Sequence, residues 1–160
     1  MLNIYTVSFF GHRQIDNFTA VEQRLEELIR ELIATKEYVE FLVGRNGEFD
    51  QMAASTVLRM RRMLRDDNSA LILVLPYPTA EFLNNQTAFE NYYTDIEVSD
   101  AAARGHFKSA IQTRNREMVD RSDLIVCCIE RKKGGAYQTV QYAKKMEKHI
   151  VNVSADAFFC

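Results

Sequence analysis

Four groups of residues in this chain have the types and spacing to hold an anionic ligand. Gly11-His12-Arg13 closes one apolar run, and Gly44-Arg45-Asn46-Gly47-Glu48-Phe49-Asp50 follows another. Arg114-Asn115 precedes a third run, and Gly134-Gly135 with Thr139 follows it. A glycine pair that opens a helix lets backbone N–H groups approach a phosphate or carboxylate, and the helix dipole adds to the attraction. The Thr139 hydroxyl can join them. Arginine recognises the same groups with a planar, two-pronged fork, which is the chemistry Arg13 and Arg114 offer. Asp50 and Asn115 can hold a sugar hydroxyl. The candidate ligand-binding set is Gly11, His12, Arg13, Gly44, Gly47, Asp50, Arg114, Asn115, Gly134, Gly135 and Thr139. No metal-ligand spacing stands out.

Each of these groups also has an ordinary structural use. Asp50 falls at a helix start, where a carboxylate is stabilised by the helix dipole alone. Gly11-His12-Arg13 can be a solvated turn. Arg114 and Asn115 fall inside an apolar helical stripe with Phe107, Ile111 and Met118, at the 3.6-residue period. Either Arg114 snorkels at a sheet edge while Asn115 bonds nearby backbone, or both face a ligand crevice. Asp120 and Asp123 flank the entry to the next apolar run, where capping and turn chemistry suit them. His106 and His149 have no evident partners in the sequence.

The elements that must carry these residues alternate between strand and helix. Apolar runs at 4–10, 39–43, 71–75, 124–129 and 149–153 read as strands. A helix to about residue 36 presents Val21, Leu25, Leu28, Ile29, Leu32 and Ile33 on one face, with Asn17 or a Thr19–Glu22 capping box at its start. A second helix near Asp50 buries Phe49, Ala53, Val57, Met60 and Leu64. Helices at about 101–121 and 137–147 complete the set. Residues 79–100, after Pro76 and Pro78, read as mostly loop with a short helix. Near-continuous apolar strands between helices imply a parallel sheet covered on both faces. The predicted fold is α/β: a three-layer Rossmann-like arrangement with a mainly parallel sheet of about five strands. Three of the glycine-bearing loops then fall on one edge of that sheet, which points to a nucleotide-like site.

The bulk properties bound the alternatives. The chain has 160 residues and reads as a single domain over 1–160. Its net charge of −2 provides no global positive field for nucleic acid or anionic lipid, although Arg59, Arg61, Arg62 and Arg65 cluster, as do Arg131, Lys132 and Lys133. The three cysteines are Cys127, Cys128 and Cys160. Two adjacent thiols in an apolar run suit a reduced core and a reducing compartment. The start Met1-Leu2-Asn3-Ile4-Tyr5 lacks the basic stretch of a secretory signal, and no apolar run reaches the ~18 residues of a membrane span. These features predict a cytoplasmic domain with no membrane partner. Apolar exposed faces leave a homo-oligomer open.

With these residues assembled, the chain resembles the SLOG superfamily, the Rossmann-like group with bacterial YpsA-like, DprA-like and LOG-like members. The resemblance rests on Phe10-Gly11-His12-Arg13, the Gly44–Asp50 loop with Ala53-Ala54, Arg114-Asn115-Arg116 with Met118-Val119-Asp120, Ser122-Asp123, and Gly134-Gly135 with Thr139-Val140 and Tyr142-Ala143. It implies binding of a nucleotide or nucleotide derivative at those loops, in a sensor or regulatory role. LOG-type relatives instead cleave the N-glycosidic bond of nucleoside monophosphates. Here that activity would use Asp50 or Asp120 as acid or base. DprA-type relatives bind single-stranded DNA, which the acidic net charge makes the less favoured partner. The chain departs from the LOG pattern at Gln141, where a catalytic glutamate stands, with Glu130 the nearest alternative. An amide cannot act as general base. Glu48 also stands where the second loop usually has glycine.

Overall fold

The computed structural model describes residues 1–154. The elements run β1 (Ile4–Gly11), α1 (Phe18–Thr35), β2 (Tyr38–Val43), α2 (Glu48–Met63), β3 (Ser69–Leu75), α3 (Ala80–Asn84), α4 (Gln86–Tyr92), β4 (Asp95–Val98), α5 (Asp100–Arg104), a 3₁₀ turn (Phe107–Ser109), α6 (Ala110–Arg121), β5 (Leu124–Cys128), α7 (Gly135–Lys145) and β6 (His149–Asn152). The strands form one parallel sheet in the order β4-β3-β2-β1-β5-β6.

Strand alternation divides the apolar residues between two layers. Val7, Phe9, Phe41, Val43, Leu71 and Leu73 pack with Leu25 and Ile29 of α1 and Val57 and Met60 of α2. On the other face, Phe10, Leu42, Ile72 and Ile125 pack with Met118 and Val119 of α6 and Ala143 of α7. Full burial of each such side chain contributes about 1.5–3 kcal/mol. Ser8 is the polar intruder in β1. Its hydroxyl lies 2.6 Å from that of Ser122, and Ser122 donates to the Met118 carbonyl. Buried, it therefore keeps hydrogen-bond partners.

From β1 the chain steps outward through β2 and β3 to β4, then returns to the other side of β1 as β5. The topological switch point lies between β1 and β5. In open α/β sheets the crevice beyond the carboxyl ends at such a point is where ligands bind.

Several expectations need correction. Among the described residues the sheet has six strands, because residues 79–100 contain α3, α4 and the edge strand β4. The helix expected at 101–121 is broken into α5, the 3₁₀ turn and α6, with Gly105 and His106 between the first two. The His106 carbonyl and ring nitrogen tie down that turn, accepting from Ser109 and the Lys108 amide respectively. Phe107 consequently leaves the apolar stripe and is 70% exposed. No capping box starts α1: Asn17 takes a left-handed conformation (φ 51°) without a side-chain cap bond, so the helix begins before Thr19. Leu64 follows the end of α2 and is exposed. Cys127 and Cys128 are buried, and burial pushes the Cys128 thiol up to about 12. Cys160 lies outside the described residues. No described helix is long and apolar enough to cross a membrane.

Candidate functional site

A cleft of about 370 Å³ opens at the carboxyl edge of the sheet. The end of β1 supplies Phe9 to Arg13, the β2–α2 loop supplies Gly44 and Asn46, and α2 supplies Asp50. Residues from α6, the β5–α7 loop and the start of α7 complete the lining. Nine of the eleven candidate residues line it. Gly47 and Thr139 do not.

Arg114 forms the floor. It is 2% exposed, among the largest fully buried side chains in the protein. Its guanidinium donates to the Val74 carbonyl (2.8 Å), to Asn46 Oδ1 (2.8 Å) and to Asn115 Oδ1 (2.8 Å). All three acceptors are neutral. Among the described residues the one carboxylate lining the cleft is Asp50, whose Oδ2 accepts from the Asn46 amide at 2.8 Å. Burial pushes the Asp50 carboxyl up, opposed by that amide bond and by the Arg114 charge. Burial lowers Arg114, opposed by Asp50 and Tyr77. Arg114 thus does not snorkel: it staples α6 to β3 and the β2–α2 loop. Asn115 is also spent internally. Its Nδ2 donates to Thr139 Oγ1 at 3.1 Å, and that hydroxyl donates to the Gly135 carbonyl at 2.9 Å. Thr139 therefore joins α6 to the first turn of α7 instead of facing the cleft.

His12 has a positioning role. It is buried, and its Nε2 accepts from the amides of Glu130 (3.1 Å) and Arg131 (3.3 Å). The imidazole must be neutral at that nitrogen to accept. Burial lowers its pKa, and the Arg131 charge lowers it further. A depressed folded pKa gives stability that is full above the unfolded value of about 6.5 and is lost as pH falls through the folded one. Urea midpoints measured across that window should fall with acidification in the wild type. The step should be absent in His12→Asn, whose amide oxygen accepts without titrating.

Two glycines permit close approach of the loops. A Cβ at Gly11 would collide with the Phe49 side chain, and one at Gly47 would fall on Arg13 Cα. The Glu48 amide donates to the Arg13 carbonyl at 2.9 Å, and the Glu48 carboxylate accepts from the Ile15 amide at 3.0 Å. Glu48 thereby ties the two loops together. Gly47→Ala should cost about 1–3 kcal/mol by overpacking against backbone, read as a lower denaturation midpoint at unchanged slope. Gly134 differs: its φ is +96° and the space around it is open. Glycine is required there by conformation alone.

The cleft gathers positive charge in a chain that is acidic overall. Arg13, Arg114, Arg131 and Lys133 line it against one carboxylate. Arg131 reaches the Gln14 carbonyl. Arg13 and Lys133 are exposed, and neither side chain has an ion pair or hydrogen bond among the described residues. Asn46, Gln112, Arg131 and Lys133 are lining residues that the sequence did not single out for the site. The available signal was the basic run at 131–133 directly before the glycine pair. Gln141 is exposed on α7 outside the cleft. Glu130 points elsewhere, accepting from the Asp16 amide and the Cys128 thiol.

No family model matches the chain, and no curated protein matches it in sequence. The solved structures that resemble it include two of DNA processing protein A. One, described for its single-stranded DNA binding mode, is DNA processing protein A from Helicobacter pylori: 20% identity, TM-score 0.61, covering 91% of this chain and 63% of that one. The other is DNA processing protein A (DprA) from Streptococcus pneumoniae: 14% identity, TM-score 0.66, covering 92% of this chain and 49% of that one. The chain has the Rossmann-like fold of DNA processing protein A. It spans about half to under two thirds of the length of these proteins, and at these identities the likeness is one of fold.

Proposed function

We propose that the cleft binds the phosphates of single-stranded nucleic acid. The observation that carries this reading is the pair of cations, Arg13 and Lys133, that have no partner among the described residues and line a cleft with four cations and one carboxylate. Such a cluster neutralises backbone phosphates without needing a basic chain. The acidic net charge, which weighed against nucleic acid in the sequence, is therefore offset where it matters. The Gly134-Gly135 turn at the start of α7 adds backbone donors of the kind that anions use. That both similar folds are DNA processing protein A, one of them described as binding single-stranded DNA, supports this choice of partner.

A second reading, a free nucleotide or nucleotide derivative held in a regulatory role, is favoured by one observation. The cleft's volume of about 370 Å³ lies within the range of small-molecule sites, about 300–1,000 Å³. Asp50 at its base would accept from a sugar hydroxyl. Cleavage of a nucleoside monophosphate would use Asp50 rather than Asp120, since Asp120, Glu130 and Gln141 are not among the cleft's lining residues.

Competition separates the readings. A labelled single strand should bind, and excess AMP or ADP-ribose should fail to displace it. Displacement of the strand by either nucleotide, or thermal stabilisation by a nucleotide without strand binding, supports the second reading instead. A ligand at 100 times its Kd adds about 2.7 kcal/mol of stability, well within reach of a melting assay.

A further inference from the structure

Near the cleft, two aromatic rings lie against each other outside either core layer. The ring centroids of Tyr77 and Phe107 are 4.9 Å apart and tilted by 37°. Phe107 is the most exposed aromatic side chain among the described residues, at 70%. Neither ring lines the cleft itself, but each belongs to a segment next to it. Tyr77 stands just past the carboxyl end of β3, the strand whose Val74 carbonyl accepts from Arg114 at the base of the cleft. Phe107 stands in the turn that feeds α6, four and five residues before the lining residues Ile111 and Gln112.

Both rings are held in place by their own segments. Tyr77 sits between Pro76 and Pro78. One proline fixes its own backbone angle, and the other restricts the residue before it to extended conformations. The turn carrying Phe107 is fixed by the His106 and Ser109 hydrogen bonds. Neither backbone segment must be ordered on binding, which lowers the ordering cost. One face of Phe107 meets Tyr77, and the exposed remainder has no use in the packing of the fold.

We propose that Tyr77 and Phe107 form a stacking subsite for a nucleobase whose phosphate lies in the cleft. The inference rests on the phosphate-binding reading and adds to it. Aromatic rings beside a cationic groove are how single strands are held without sequence preference, since every base presents a π face. Phosphates would lie between Arg13 and Lys133, and the adjoining base would lie on Phe107. The subsite would accept any base and would gain nothing from an abasic strand.

The test compares a short thymidine oligonucleotide with an abasic strand of equal length, by fluorescence anisotropy at fixed salt. The wild type should prefer the thymidine strand. Phe107→Ala should weaken thymidine-strand binding by about 5- to 150-fold and leave abasic binding unchanged. A second variant guards against misfolding. The chain contains no tryptophan, so Phe107→Trp places a lone indole at the subsite. Its emission should be quenched by the thymidine strand and not by the abasic one. If Phe107→Ala binds both strands like wild type, and the Phe107→Trp emission does not respond, the stacking subsite is wrong while the phosphate cleft stands. If the wild type binds neither strand, both readings fall.

Discussion

Arg114→Ala is expected to destabilise the fold by about 3–5 kcal/mol. The side chain is fully buried, so its removal leaves a cavity at the junction of α6, β3 and the β2–α2 loop. Truncation of large buried side chains alone costs about 2–5 kcal/mol. Three acceptors also lose their donors: the Val74 carbonyl and the side-chain oxygens of Asn46 and Asn115. Buried acceptors left unsatisfied add to the penalty. For a domain of this size the melting temperature should drop by roughly 6–20 °C. Arg114→Met should lie between alanine and wild type, because it restores volume without the hydrogen bonds. Arg114→Lys should also be damaging, since a point cation cannot reach three acceptors arranged around a planar fork. Urea denaturation of the three variants checks this. A loss below about 1 kcal/mol for alanine contradicts the role given to Arg114.

Arg13→Ala should have the opposite profile. Arg13 is exposed and its side chain has no partner among the described residues. Stability should stay within about 0.5 kcal/mol of wild type, as for most surface substitutions. Binding should suffer instead. A charged hydrogen bond to phosphate is worth about 1.5–3 kcal/mol, so affinity for a single strand should fall by about 10- to 150-fold. The pair of variants separates the two arginines of the cleft. One holds the site together, and the other is free to hold what enters it. Matched denaturation and titration of Arg13→Ala checks the prediction. Wild-type affinity in a stably folded variant contradicts it.

The central strands were legible because a parallel sheet buried on both faces leaves continuous apolar runs. Glycines following those runs located the cleft for the same reason, since the carboxyl edge is fixed once strand order is. Residues 79–100 were not legible. The helices α3 and α4 are five and seven residues long, and β4 is a four-residue edge strand with Asp95 and Glu97 in it. None carries enough periods to register as a pattern. The break at Gly105-His106 was missed because apolar spacing carried through it, and Phe107 was placed in the core as a result. Within the site, residue type was readable and partnership was not. Arg114, Asn115, His12 and Thr139 are polar and correctly placed near the strand ends, yet their bonds run to one another and to backbone. Arg13 and Lys133 are distinguished only by lacking such bonds, which no sequence displays.

The salt dependence of single-strand binding tests the central claim most directly. Log affinity should fall linearly with log salt, with a slope of about −0.7 for each phosphate neutralised. Between wild type and the Arg13→Ala, Lys133→Ala double variant, the slope should become shallower by about 1.4, one contact for each cation removed. An unchanged slope in the double variant, or wild-type binding that ignores salt, would contradict a phosphate-binding cleft.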